Sequence, residues 1–299
     1  MSKLVVLDLD NTLYDWVEMF VASFYAMIDS AVKLLDCDRD RLLDEMRDVH
    51  RKHHDSEHPF ALLETSTVLK RFPEFSRDRL KESVDSAFYA FNAARKKALK
   101  EYPGVTQGLV DLSAEGCRIV AHTESNVLAA FYRLEKLGLL NFFERVYCRE
   151  RTADTHPDLA AGNAAASRLA QHNFVSLKFH RRKPDPSVLR EILRAFDVEP
   201  NHAFYVGDSL TRDMKMAADV GVTAIWAKYG TRHLPGAYEK LVRVTHWTED
   251  DVDRERALGL AAKSVRPDFI AENSFAEVVA FIRNHTARAQ DLYQEVRLN

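Results

Sequence analysis

Two carboxylates stand two residues apart at the end of the first apolar run of the chain. Asp8 and Asp10 follow the run from Leu4 to Leu7 and open the segment Asp-Leu-Asp-Asn-Thr. One carboxylate can act as a nucleophile, and a second one beside it can act as a general acid and base. Asp and Asn are also ordinary turn residues, so the pair in isolation equally fits a turn after a strand.

Two further places hold a polar side chain that suits phosphoryl chemistry. Thr123 follows the run 119–121, and its hydroxyl can donate to a phosphoryl oxygen, although a Thr at a strand end is more often a helix cap. Lys183 stands before a proline that opens a predicted helix. This lysine can neutralise a developing phosphoryl charge, whereas most lysines in such a position are merely solvated.

The fourth place holds two acidic residues after another apolar run. Asp208 follows residues 203–207, and Asp213 comes later in the same segment. Their carboxylate oxygens are hard ligands that suit a hydrated Mg²⁺ ion. In isolation, the same residues also fit a strand, a turn and a helix cap.

A predicted alternation of strands and helices positions these residues. The apolar runs predict strands at 4–7, 118–121, 145–148, 203–207, 223–227 and 268–271. Helical periodicity predicts helices between them at 105–114, 185–196 and 212–220. The predicted fold class is therefore α/β, with a doubly wound parallel sheet that gathers polar residues at the carboxyl ends of its strands.

One helical insertion interrupts this alternation directly after the first strand. Residues 15–102 show the period of amphipathic helices, and we expect four helices and no strand there, the last one near residues 80–91. The predicted division is a Rossmann-like core of residues 1–14 and 103–299 and a smaller all-helical domain of residues 15–102.

Two other stretches, 149–182 and 230–266, are longer than typical connections. The second one is rich in charge, and it fits a partner surface, an additional lid, an oligomer contact or a solvated pair of helices equally well. The sequence leaves these alternatives open.

The composition excludes several classes of function. The chain has 42 Lys+Arg against 45 Asp+Glu and no long run of like charge, so we expect no nucleic acid polymer as a partner. Its three cysteines form no CxxC pair, which argues against a disulfide framework or a zinc site. No apolar stretch has the length of a signal peptide or a membrane span. We expect a soluble cytoplasmic protein without a membrane partner, as a monomer or a homodimer.

Taken in order, the four places resemble the four motifs of the haloacid dehalogenase (HAD) superfamily. The matching residues are DxDxT at Asp8–Thr12, Thr123, Lys183 with its proline, and GDSxxxxD at Gly207–Asp213. The resemblance covers nearly the whole chain except the two long stretches, and the helical insertion is similar to the helical cap of this superfamily. It implies a HAD core with a cap and an enzyme of the phosphatase branch, a phosphoric monoester hydrolase.

The resemblance implies a catalytic role for each matched residue. Asp8 would be the nucleophile that forms an aspartyl-phosphate, and Asp10 would be the general acid and base. Thr123 and Lys183 would hold the phosphoryl oxygens. Dehalogenating members lack a carboxylate at the position of Asp10, because they have no leaving oxygen to protonate, so dehalogenation is disfavoured.

The resemblance also implies a Mg²⁺ cofactor. Asp8, Asp208 and Asp213 would be its ligands, with Asp213 contacting the ion directly or through water, and Asp10 would contribute only its backbone carbonyl. The ion would reduce the repulsion between the anionic nucleophile and the phosphate.

We expect substrate contacts beside the second motif and at the start of the helical insertion. Glu124 and Ser125 follow Thr123 directly. Glu124 departs from the Asn or Asp that family members often carry, and its charge would repel a second anionic group. Tyr14 and Trp16 can face the substrate, although aromatics at helical spacing are more often part of a core.

The leading hypothesis is a Mg²⁺-dependent phosphatase that acts on a small phosphorylated metabolite. A phosphomutase-type phosphotransferase is the nearest enzymatic alternative, because it shares every motif and returns the phosphoryl group to a sugar. A non-catalytic HAD-fold binding protein is the third, since a fold does not guarantee a function.

Overall fold

A seven-stranded, all-parallel sheet forms the centre of the molecule. The computed structural model describes residues 3–150, 164, 166–247, 249–261 and 264–285. In chain order the strands are β1 (Leu4–Leu7), β2 (Arg118–Asn126), β3 (Arg145–Arg149), β4 (Phe174–Leu177), β5 (Ala203–Gly207), β6 (Thr223–Ala227) and β7 (Phe269–Ala271). Their order across the sheet is β4-β3-β2-β1-β5-β6-β7, so β1 lies at the centre and the connections wind outward on both sides. This confirms the predicted fold class.

The helical insertion, residues 15–102, contains five α-helices and a 3₁₀ turn. They are α1 (Trp16–Leu35), α2 (Arg39–His53), the 3₁₀ turn Ala61–Glu64, α3 (Ser66–Arg71), α4 (Arg77–Ser83) and α5 (Asp85–Ala98). The expected count of four was wrong because Val84 divides the last predicted helix. Its φ of −117° is not helical, and its side chain is fully buried where the chain bends. No strand occurs, and Tyr14 and Glu101 form an isolated bridge where the insertion begins and ends.

Helices on both faces of the sheet bury β1 completely. They are α6 (Val105–Ala114), α7 (Val127–Leu137), α8 (Pro186–Phe196), α9 (Lys215–Val220) and the helical residues 275–285. Two more helices lie between β6 and β7: α10 (Ala237–Val244), which packs in the apolar cluster of the helical insertion, and α11 (Glu249–Ala261). Val5 and Leu7 pack on the face that carries α6 and α7, whereas Leu4 and Val6 pack against α8 and α9 on the other. None of the described helices has the length and apolar character needed to cross a bilayer.

The strand predictions succeeded in the centre of the sheet and failed towards one edge. β1, β5 and β6 have the predicted bounds. β2 continues past its predicted end to Asn126, so Thr123 lies inside the strand. β4 was missed within the stretch 149–182, because an edge strand with half-exposed residues lacks the continuous apolar run of a buried one. Residues 151–163 of that stretch lie outside the described part of the chain.

The turn after β6 braces the loop that carries Asp8 and Asp10. In this turn, Lys228–Thr231, the Tyr229 hydroxyl donates to the Thr12 carbonyl at 2.7 Å. Asn11 adopts a left-handed conformation with φ of 54°. A Cβ atom at Gly230 would overlap the Asn11 carbonyl oxygen, so only glycine fits there.

We expect Gly230→Ala to lower the free energy of unfolding by about 2 kcal/mol or more, because the added methyl group meets backbone that cannot move aside. Urea denaturation measures the change. Gly259→Ala is the matched control: nothing lies within 4 Å of the added Cβ, and a helical Gly→Ala change gains up to about 1 kcal/mol. Equal stability of the two variants would contradict the prediction.

Candidate active site

Three buried charged side chains meet at the carboxyl end of the central strands. Asp8 follows β1, and its backbone N–H donates to the Val206 carbonyl at 2.8 Å. The Lys183 ammonium lies 2.7 Å from Asp8 Oδ1 and 2.8 Å from Asp213 Oδ1. All three side chains are almost completely excluded from solvent. A buried charge is tolerated where an opposite charge contacts it, and here one ammonium serves two carboxylates.

The pKa shifts reflect the burial of these groups and the excess of carboxylates over cations among them. Burial raises the pKa of Asp8 well above its usual value, although the Lys183 ammonium acts in the opposite direction. Burial, with the Asp213 carboxylate beside it, raises the pKa of Asp208 to about 7. Burial lowers the pKa of Lys183, but Asp213 and Asp8 together hold it well above its usual value. A divalent cation would relieve the remaining repulsion.

Asp8, Asp208 and Asp213 form a group with the donor set of a magnesium site. Each offers a carboxylate oxygen, and these oxygens lie within 4.8 Å of one another. The Trp226 indole N–H donates to the Asp208 backbone carbonyl at 2.8 Å, and the Ser209 N–H donates to Asp213 Oδ2 at 3.1 Å, so the turn after β5 is held in place. Oxygen-only ligands suit Mg²⁺. The backbone contribution of Asp10 stays a prediction.

Asp10 is held by a second, separate cation. Its Oδ1 accepts from Arg133 Nη1 at 2.7 Å, and its Oδ2 accepts from the Ser125 hydroxyl at 2.6 Å. Arg133 belongs to α7 and is also paired with Glu57 of the helical insertion. Asp8 and Asp10, two residues apart, therefore have different partners: a lysine for the first and an arginine for the second.

Thr123 and Glu124 lie on β2, and they line one cavity together with Asp8, Asp10 and Lys183. Thr123 Oγ1 accepts from the Ser125 N–H at 3.1 Å. Glu124 Oε1 accepts from the Lys183 N–H at 3.1 Å, and Glu124 Oε2 pairs with Arg212 at 2.9 Å. Both Glu124 oxygens are thus engaged, and the arginine compensates the charge that was expected to repel an anionic substrate.

The two aromatic residues nominated as substrate contacts have different surroundings. Trp16 lines the cavity. Tyr14 is fully buried and is not among the residues that line it, and its role as a substrate contact stays a prediction. The Tyr14 ring lies instead 5.9 Å from the Arg133 guanidinium, within cation–π range.

The cavity has a volume of about 440 Å³ and takes its wall from three parts of the chain. The carboxyl ends of the strands supply the acidic cluster, and the loop before α8 supplies Lys183. The helical insertion supplies Trp16 and the segment from Asp55 to Glu57. The third part is the stretch between β6 and β7, from which eight of the described residues line the cavity: His233, Tyr238, Leu241, Thr245, His246, Trp247, Asp251 and Arg254.

The α10 segment (residues 237–247) packs against the helical insertion. The His50 imidazole contacts the Val244 carbonyl at 2.6 Å through Nδ1, and the Ser56 hydroxyl contacts His246 Nδ1 at 2.8 Å. Burial lowers the pKa of His50 to about 4 and that of His246 to about 4, so both rings are neutral near pH 7. The neutral His50 ring can donate its Nδ1–H to the carbonyl. Part of the unexplained stretch 230–266 thus joins the insertion to the core.

Sequence reasoning missed Arg133, which contacts Asp10 from a distant helix, and Glu57, which contacts Arg133 from the insertion. One signal was present for Arg133: in α7 it lies beside buried Ala130 and Leu134 on an otherwise apolar face. A charged residue on such a face needs a buried partner. Nothing in the sequence indicated that the partners are Asp10 and Glu57.

Two family models and several curated proteins are similar to this chain, and all of those named here are hydrolases. A family model described as haloacid dehalogenase-like hydrolase matches residues 2–221, and a second HAD-hydrolase-like model matches residues 180–273. The chain is 26% identical to the glyceraldehyde 3-phosphate phosphatase of Pyrococcus furiosus, over 76% of this chain and 81% of that protein. It is 30% identical to the phosphoglycolate phosphatase of Rhodospirillum rubrum, over 79% of this chain and 84% of that protein.

Solved structures share the fold. A 2-haloacid dehalogenase from Pseudomonas syringae pv. Tomato aligns with a TM-score of 0.54 at 19% identity, over 96% of this chain and 99% of that one. A putative β-phosphoglucomutase from Thermotoga maritima aligns with a TM-score of 0.51 at 16% identity, over 94% and 99%. At such identities the likeness concerns the fold alone.

We expect Lys183→Met to lower the free energy of unfolding in EDTA by about 3–5 kcal/mol, because it leaves Asp8 and Asp213 buried without a cation. Urea denaturation measures the loss. Lys178→Met is the control: this lysine is exposed and paired with Glu150, so its removal costs about 1 kcal/mol at most. A similar small effect at both positions would contradict a compensating role for Lys183.

The contact of His50 predicts a loss of stability in acid. The unfolded state takes up a proton near pH 6.5, whereas the folded state resists it down to about pH 4. Stability therefore falls as the pH drops, by about 2 kcal/mol between pH 7 and pH 5 for this one group. In His50→Asn, which keeps an N–H donor but does not titrate, the fall should be smaller by that amount.

The measurement is urea denaturation of both proteins at the two pH values. His202→Asn, in a surface turn away from this contact, is the control and should keep the pH dependence of the unchanged protein. A His50→Asn protein that loses as much stability as the unchanged protein would show that His50 is not kept neutral.

Proposed function

The chain belongs to the haloacid dehalogenase-like hydrolases, and from this premise we propose that it is a Mg²⁺-dependent phosphatase of a small phosphorylated metabolite, acting through an aspartyl-phosphate on Asp8. The observation that carries the proposal is the convergence of Asp8, Lys183, Asp208 and Asp213 in one cavity, with Asp10 beside them. The names of the relatives, two kinds of phosphatase, support it.

In the first step, a carboxylate oxygen of Asp8 attacks phosphorus. The bond between phosphorus and the leaving oxygen breaks, and its electron pair goes to that oxygen, which takes a proton from Asp10. Lys183 and Thr123 hold phosphoryl oxygens while negative charge shifts onto them. Asp8, Asp208 and Asp213 would hold a Mg²⁺ ion, which would supply positive charge and so reduce the repulsion between the nucleophile and the phosphate.

In the second step, a water molecule attacks the same phosphorus on the opposite side from Asp8. Asp10 takes the proton from this water, the bond between phosphorus and Asp8 breaks, and inorganic phosphate is released. Asp10 returns to its protonated form, so one residue serves as acid and then as base. This sequence requires that the Asp10 carboxyl group face the leaving oxygen and the water in turn.

The cavity supports a small substrate. Its volume of about 440 Å³ suits a metabolite of a few carbons with a phosphoryl group. The relatives named for glyceraldehyde 3-phosphate and phosphoglycolate act on compounds of that size, and these two are the first substrates to test. We extend the proposal to the division of the chain: residues 1–14 and 103–299 are the catalytic core, and residues 15–102 are a cap that covers the cavity.

We expect phosphate release from at least one member of a panel of phosphoglycolate, glyceraldehyde 3-phosphate, sugar phosphates and nucleotides in the presence of Mg²⁺. EDTA should abolish it, because the charge of the acidic cluster then opposes the phosphate. Asp8→Asn should lower kcat by about 10⁴-fold or more, as expected for the loss of a nucleophile. Release of inorganic phosphate measures all three.

Asp15→Asn is the matched control. Asp15 caps α1 by accepting from the Glu18 N–H at 2.8 Å, and an asparagine side chain can accept in the same way. It should keep full activity. Mg²⁺-dependent turnover by Asp8→Asn would contradict the aspartyl-phosphate mechanism, and a folded protein that is inactive on the whole panel would contradict the phosphatase itself.

A further inference from the structure

A fully buried arginine stands between Asp10 and the helical insertion. Arg133 donates through Nη1 to Asp10 Oδ1 at 2.7 Å and to the Ser125 hydroxyl at 2.8 Å, and through Nη2 to Glu57. The Ser125 hydroxyl in turn donates to Asp10 Oδ2 at 2.6 Å. The Tyr14 ring lies beside the guanidinium. Arg133 does not line the cavity, so it acts on chemistry there only through the groups that it contacts.

These contacts fix the orientation of the Asp10 carboxyl group. Donors occupy both oxygens, and the planar guanidinium fork allows little rotation of the group that it holds. Proton transfer depends on a carboxyl group that faces the reacting oxygen at hydrogen-bond distance. A residue that holds Asp10 therefore affects the protonation of the leaving group without touching the substrate.

Glu57 makes this hold depend on the helical insertion. It lies in the segment between α2 and the turn Ala61–Glu64, whereas Asp10 and Arg133 belong to the sheet side of the molecule. One guanidinium therefore shares its charge between a carboxylate of the site and a carboxylate of the insertion. The neighbouring Asp55 makes a parallel contact, pairing with Arg149 at 3.0 Å, so the segment is attached at two points.

We propose that Arg133 is a positioning residue that couples the seating of the segment 54–58 to the orientation of Asp10. With the segment seated, Glu57 accepts from Nη2 of the guanidinium, so only Nη1 is left for Asp10, whose other oxygen accepts from Ser125. When the segment is displaced, Nη2 loses Glu57, and the guanidinium closes on Asp10 with both nitrogens and turns the carboxyl group away from a reacting oxygen. Proton donation by Asp10 is thus favoured only when the insertion covers the cavity. This inference rests on the proposed phosphatase function.

The leaving group provides a selective test. 4-Nitrophenolate leaves without a proton, whereas phenolate and the alkoxide of phosphoglycolate need one. kcat/KM covers only the steps up to the departure of the leaving group, so hydrolysis of the aspartyl-phosphate does not enter it. The readout is the ratio of kcat/KM for 4-nitrophenyl phosphate to kcat/KM for phenyl phosphate and for phosphoglycolate, in the presence of Mg²⁺.

We expect Arg133→Met to lower kcat/KM for the two poor leaving groups by about 10- to 100-fold and for 4-nitrophenyl phosphate by about threefold at most. Glu57→Gln keeps the shape of the side chain, removes its charge, and should shift the ratio in the same direction by about three- to tenfold. The double variant should show no further shift beyond Arg133→Met, because Glu57 acts through Arg133. Arg168→Met, at an exposed arginine paired with Glu135, should leave the ratio unchanged.

Asp10→Asn separates this inference from the proposed function. If Asp10→Asn shifts the ratio and neither Arg133→Met nor Glu57→Gln does, the coupling is wrong and the acid role of Asp10 stands. If no variant, including Asp10→Asn, shifts the ratio, the acid role of Asp10 in the proposed function fails as well. Should the unchanged protein not hydrolyse phosphoglycolate, the best substrate of the panel takes its place, and inactivity on the whole panel is the failure of the proposed function. Should Arg133→Met not fold, Glu57→Gln alone decides: an unchanged ratio overturns the proposal.

Discussion

The contact between the Lys183 ammonium and the carboxylates of Asp8 and Asp213 is the constraint around which this end of the molecule is arranged. Ionised carboxylates that are buried at the carboxyl end of a strand are tolerated only where a cation contacts them. The central position of β1 brings Asp8 there, and β5 brings Asp208 and the turn with Asp213. Lys183 belongs to the loop before α8. The contacts of this charge cluster therefore hold together three separate segments of the chain.

A second cation makes the two acids of the first loop different. Asp8 contacts a lysine that also belongs to the acidic cluster, whereas Asp10 contacts an arginine that also belongs to the helical insertion. A lysine is a compact point charge, and an arginine is a rigid fork that sets direction. The chemical roles proposed for the two acids, nucleophile and proton carrier, correspond to these surroundings: charge compensation for the first and orientation for the second.

The sequence predicts those parts of the fold and site that depend on local patterns. β1, β5 and β6 could be delimited because strands buried on both faces have unbroken apolar runs. Asp8, Thr123 and Asp208 come together because parallel strands end at the same edge of the sheet. β4 was missed because an edge strand lacks that run. Arg133 and Glu57 were missed because their contact joins residues that are 76 positions apart, and no periodicity encodes such a pair.

The α10 segment limits which parts of the chain can be swapped between this protein and its relatives in a chimera. Because it packs into the same apolar cluster as α1 and α2, and also lines the cavity, the wall above the acidic residues is encoded in two distant parts of the chain. A chimera that received residues 15–102 alone would combine one part of this wall with the α10 segment of another protein. His50 and Ser56 would then lose their own partners, Val244 and His246. Recombination that aims to transfer substrate preference therefore has to move the insertion and residues 237–247 together.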